Sequence, residues 1–74
     1  MKESRLDRDW HDLMSLCDRE SDYRNGGRHP KLLKYVSAQV DQRARGMGFS
    51  DRQIRSRDFR AERYNGHIVK LLTD

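Results

Sequence analysis

Charged side chains outnumber apolar ones in this chain, 38% of residues against 34%, over a length of only 74 residues. A chain of that size buries roughly 60% of the surface it exposes when unfolded. The core must therefore be thin, and length alone excludes a second one. Each element has to contribute a narrow apolar stripe and leave the rest of its surface charged. Amphipathic helices satisfy that condition, and three segments have the spacing for it.

The first covers residues 5–22, where Leu6, Trp10, Leu13, Met14 and Cys17 recur at helical intervals. Ser4 and Asp7 form an N-cap pair, and Asp7 and Asp9 suit the positive end of the helix dipole. Tyr23-Arg24-Asn25-Gly26-Gly27-Arg28-His29 breaks the period, so a mobile Gly-rich loop is expected over 23–29. The second helix is expected over 30–45: Pro30 suits a first helical position, Leu32, Leu33, Val36, Val40 and Ala44 form the stripe, and Gly46 ends it. Tyr35 falls off that stripe toward solvent.

Ser50 with Gln53 makes a capping box, and Phe49 with Ile54 a hydrophobic staple, so two devices mark one helix start. Beyond it, Ile54, Ala61, Tyr64, Ile68, Leu71 and Leu72 share one helical face, while Arg52, Arg55, Arg60, Arg63 and Lys70, with Phe59, share the other. This predicts a third helix over 50–72 with a kink or break at Asn65-Gly66. The alternative is a hairpin turning on Asn65-Gly66. A regular two-residue turn would set Glu62 opposite Val69 and Arg60 opposite Leu71, mixing charge with apolar groups on one face, so the helix is preferred. The expected fold is all-α: one small three-helix domain over 1–74, with a kinked or split C-terminal helix.

Charge is distributed unevenly. Residues 1–22 carry a net −3 and residues 23–74 a net +7. The second segment would attract phosphates or an acidic protein surface, and the first would repel the same partner. Cys17 is the only cysteine, which excludes an internal disulfide and a multi-cysteine zinc site; its simplest role is as a small buried hydrophobe. No apolar run reaches the ~18 residues of a membrane span, and the start Met1-Lys2-Glu3-Ser4-Arg5 opens no apolar signal segment. A cytoplasmic protein without membrane partners is expected.

Catalytic potential is poor. Three histidines, one cysteine and no Gly-rich phosphate loop leave no matched set of nucleophile, base and oxyanion donor. His11 and Cys17 lie about 120° apart on a helix and have no metal-ligand spacing. Asp7, Asp9 and Asp12 read as a solvated helix face. Neither an enzymatic activity, a cofactor, a metal nor a small-molecule substrate is expected.

Arginine is the informative residue. Arg52, Arg55, Arg57, Arg60 and Arg63 recur every two or three positions around Phe59, with Arg43 and Arg45 just before, and the only lysine after Lys34 is Lys70. Guanidinium groups grip phosphates and carboxylates bidentately and stack on planar groups. Arg43, Arg45, Arg52, Arg55, Phe59, Arg60 and Arg63 are accordingly the expected contacts to nucleic acid or a partner, with Arg5, Arg8 and Asp12 as a second, N-terminal set. The competing reading is a solvated face of local pairs, such as Asp51 or Asp58 with Arg55.

Gly48-Phe49-Ser50-Asp51-Arg52-Gln53-Ile54 resembles the opening of the DNA-binding helix pair in response-regulator-type bacterial activators. That resemblance implies a helix-turn-helix-like DNA-binding protein. Asp58 stands where its pattern wants an apolar residue. As a kind of molecule, the short, highly charged, bipolar chain is similar to small bacteriophage-encoded regulators that bind host RNA polymerase. That second resemblance implies a non-enzymatic transcription regulator acting in the host cytoplasm by protein binding, with DNA contact in support. A structural or assembly factor would be a third class.

Overall fold

The structure, a computed structural model, describes residues 4–74; the charged start at Met1, Lys2 and Glu3 lies outside them. Its order is α1 (Arg5–Gly26), α2 (Pro30–Met47), α3 (Asp51–Ser56), β1 (Ala61–Tyr64) and β2 (His67–Leu71). The all-α expectation is thus corrected to a mixed α/β fold: two long antiparallel helices, one short helix and a two-stranded antiparallel sheet.

The Ser4 hydroxyl caps α1 by accepting from the Asp7 N–H at 3.1 Å. The helix then outlasts its expected end and continues through Tyr23-Arg24-Asn25-Gly26, closing at Gly27. Tyr23 meets the His29 ring edge-on at 5.8 Å, and Arg24 reaches back one turn to Glu20. These contacts order residues expected to be a loop. Pro30 opens α2 as expected, but the helix runs past Gly46, expected to end it, to Met47, and Gly48 closes it at φ 104, a left-handed conformation that strains any side chain.

The last third of the chain departs most from expectation. The Ser50–Gln53 capping box forms, but α3 has only six residues and ends at Arg57, itself left-handed at φ 55. Asn65 and Gly66, at φ 50 and φ 80, then make a two-residue turn of the type with both central residues at positive φ. Tyr64 pairs with His67 and Arg63 with Ile68, after which a bulge shifts the register so that Glu62 meets Lys70 and Ala61 meets Leu71. Val69 is the extra residue. A bulge reverses the in-and-out phase of a strand, so Ile68 and Leu71 both turn inward while Val69 and Lys70 both turn out. The regular register that made a hairpin unattractive is therefore not the one adopted, and opposite charges, Glu62 and Lys70, face each other instead.

The core joins the three helices and β2. Leu13 of α1, Val40 and Ala44 of α2, Phe49, and Ile54 of α3 form one buried cluster, with Trp10, Met14, Leu16, Cys17, Met47, Phe59 and Leu71 packed against it. Two polar side chains tie in the chain's end and the sheet. Gln53, 1% exposed, accepts from the N–H groups of Ser50 and Asp74 and donates to the Leu72 carbonyl at 2.8 Å. Asp7 accepts from the Ile68 N–H at 2.7 Å, latching β2 to the first turn of α1. Among the described residues, no helix is long and apolar enough to cross a membrane.

Candidate functional site

The five arginines from 52 to 63 do not line one helical face. Arg52 and Arg55 are on α3, Arg57 caps it, Arg60 precedes β1 and Arg63 is within β1. Arg57 turns inward. Its Nε donates to Glu20 Oε1 at 3.0 Å and its Nη2 to Glu20 Oε2 at 2.6 Å, a bidentate fork, while Nη1 donates to Asp41 Oδ1 at 2.6 Å and to the Ile54 carbonyl at 2.7 Å. One guanidinium thus bolts α1, α2 and α3 together.

The Glu20 side chain is only 3% exposed, and the Arg57 hydrogen bonds hold its carboxyl below the usual glutamate range against the opposing effect of burial. The same partners raise the Arg57 guanidinium further above its already high value, so it stays charged. Beside this clasp, burial and then the Glu20 charge push the Cys17 thiol up. It remains a protonated thiol at neutral pH, the opposite of an activated nucleophile.

The other expected contacts are on the surface, and most have an acidic neighbour. Arg43 stands 3.8 Å from Asp9, Arg45 3.2 Å from Asp51, and Arg60 3.1 Å from Asp58. Arg52 holds the Asp74 side chain at 2.7 Å. These pairs are solvated, and such pairs contribute about 0–1 kcal/mol. An incoming anion can compete for them, as it cannot for Arg57. Arg55 and Arg63 are exposed with no ion pair among the described residues, as are Arg5 and Arg8. Phe59, expected outside, packs on Phe49 with ring centroids 5.0 Å apart and belongs to the core margin. Asp12, of the N-terminal set, is partly exposed on α1, remote in sequence from α3.

The sequence reading did not single out the outward face of α2. That helix holds Lys31, Lys34, Arg43 and Arg45 against one acid, Asp41. Asp41 precedes Arg45 by one helical turn, where it would ordinarily pair along the surface. Its carboxylate goes to Arg57 instead. The exposed residues along this side of α2 are Lys31, Lys34, Tyr35, Ala38, Gln42 and Arg45; the Asp41 side chain, still 44% exposed, lies at its edge, so the face is predominantly and not wholly cationic. By contrast, the outer side of α1 mixes Asp12, Asp18 and Asp22 with Arg8 and Arg19. Next to this α2 face lies an open groove of about 590 Å³ lined by Arg24, Arg45, Arg55 and Arg57 together with Asp41, Asp51 and Ile54. A second groove of about 370 Å³, between α1 and α2, gathers Arg5, Asp9, Gln39, Gln42 and Arg43. Among the described residues, no three His, Cys, Asp or Glu side chains cluster to hold a metal ion.

Fold and surface together define a class of architecture: an antiparallel helix pair bolted by a half-buried arginine, closed at one end by a hairpin and bearing a predominantly cationic helix face. Comparison with family models, with curated proteins and with solved structures gives no match for the chain.

Proposed function

We propose that the protein is a non-enzymatic regulator that docks on a nucleic-acid-handling assembly in the cytoplasm, RNA polymerase foremost. Docking uses the cationic α2 face together with the exposed arginines of α3, Arg52 and Arg55. The observation that carries this reading is the pairing of Asp41: with its half-exposed carboxylate held by Arg57, the unpaired charges that α2 presents outward, Lys31 and Lys34, are cationic. Surfaces without a charged partner usually intersperse both signs. The similarity in kind to small phage regulators supports the choice of polymerase.

The test is direct binding of purified bacterial RNA polymerase to the immobilised protein. Retention of polymerase, lost on Lys31→Glu with Arg45→Glu, is expected. No retention at low salt would overturn the proposal. The helix-turn-helix route to DNA is disfavoured by geometry, because six residues of α3 followed by an extended segment leave no second helix to enter a major groove.

A further inference from the structure

The α2 surface is more specific than a generic cation patch, and its chemistry narrows the ligand. Resting on the reading above, we propose that the outer face of α2, with Arg55 beside it, is a contact for the phosphate backbone of double-stranded nucleic acid. The contact is largely indifferent to sequence.

Two features of the face point to phosphates. First, it is long. From Lys31 to Arg45 there are fourteen residue steps, which at 1.5 Å per residue extend about 21 Å. A duplex carries one charge per ~1.7 Å of axis, so regularly spaced charge of the opposite sign is available along that whole length. Second, its exposed polar groups are of the types that position proteins on a backbone: lysine and arginine, the Gln42 amide and the Tyr35 phenol, which is 64% exposed. Tyr35 accepts from Gln39 at 3.3 Å and so keeps its own O–H free to donate outward.

Lys31, Lys34, Arg45 and Arg55 give four cations free to neutralise phosphates, Arg45 by exchanging its solvated Asp51 partner. Binding should weaken with salt at about −0.9 per phosphate in log–log terms. Four contacts predict a slope near −3.6, or on the order of a hundredfold loss of affinity between about 50 and 200 mM salt.

The experiment is fluorescence anisotropy of a short labelled duplex across that salt range, with the wild type and with variants altered at exposed positions. Lys34→Glu and Arg19→Glu change net charge equally but on opposite sides of the helix pair, and both should keep the wild-type circular dichroism. Lys34→Glu is expected to flatten the slope by about 1 and to weaken binding uniformly over unrelated duplex sequences, and Lys31→Glu with Lys34→Glu by about 2. Arg19→Glu is expected to leave the slope unchanged. Equal effects of Lys34→Glu and Arg19→Glu would overturn the proposal, as would displacement of the duplex by polyglutamate as readily as by unlabelled duplex. Duplex binding without polymerase binding would sink only the proposed function. Polymerase binding without duplex binding would sink only this inference.

Discussion

Glu20 occupies a position on the apolar stripe of α1, seven residues beyond Leu13, where the pattern calls for a hydrophobe. A carboxylate there has to find a cation or distort the helix pair, and it finds Arg57, 37 positions further along. Removing one member of such a pair costs about 3–5 kcal/mol, against a total stability on the order of 4–11 kcal/mol for a chain this long. Arg57→Ala should therefore leave a barely folded protein. Arg57→Lys, which keeps the charge but loses the fork, should fall between it and the wild type in urea midpoint. The pH dependence has a definite sign. The folded-state pKa of Glu20 is depressed, so its contribution is present above the unfolded value of roughly 4.3 and lost as pH falls through the folded one. Asp7 and Asp74 are shifted the same way, by the Ile68 N–H and by Arg52 respectively. The difference between wild type and Glu20→Gln isolates the clasp: their urea midpoints should lie furthest apart at neutral pH and converge in acid. A constant gap down to the most acidic measurable pH would contradict the assigned pairing. The sequence reading missed this position, although an acid two helical turns beyond Leu13 on the apolar stripe was the signal that could have found it. Its partner gave no such signal, since nothing local to Arg57 distinguishes it from the four arginines around it.

The C-terminal hairpin shows how a strand can imitate a helix. Ile68 and Leu71 are three residues apart, the helical interval, and both are turned to the interior. In a regular strand they would point to opposite faces. The bulge at Val69 reconciles the interval with extended backbone, and periodicity alone cannot see a bulge. The turn chemistry was the better guide: Asn-Gly is a strong local signal for a two-residue hairpin, and it was outweighed by a wheel that a bulge had counterfeited. Deletion of Val69 separates the two architectures. In the hairpin, removing the extra residue restores ordinary alternation, with Ile68 and Leu71 still inward and Glu62 still opposite Lys70. The protein should stay folded, with a stability change below about 1 kcal/mol, the range of a single exposed strand position, and retain cross-strand nuclear Overhauser contacts. In a helix, the same deletion would rotate Lys70 and Leu71 by about 100° relative to the core, with large loss of stability. The elements that carried explicit stop and start devices, Ser4, Pro30 and the Ser50–Gln53 box, were legible for the same reason the hairpin was not: capping is local, and register is set across strands.

The molecule measures 39 × 28 × 17 Å, with a radius of gyration of 13.1 Å, against about 11 Å for a compact chain of its length. It is a slab. A body 17 Å thick has little interior, which is why a chain with more charge than apolar content can still fold. The bipolar charge of the sequence survives in space in a different form. The helices turn their buried stripes toward each other, so the mixed outer side of α1 and the cationic outer side of α2 face away from one another. One seam of this slab has a consequence for its motions. The Asp7 carboxylate that receives the Ser4 hydroxyl also receives the amide of Ile68, 61 residues away. A loosening of the opening helical turn must therefore be felt at the returning strand. Deuterium uptake at Ile68 should accelerate in a Ser4→Ala protein, and more in Asp7→Asn, while the amide of Val40, in the middle of α2, keeps its pace. Faster exchange at Ile68 than at Val40 in these variants would mark this edge as the one along which the slab opens.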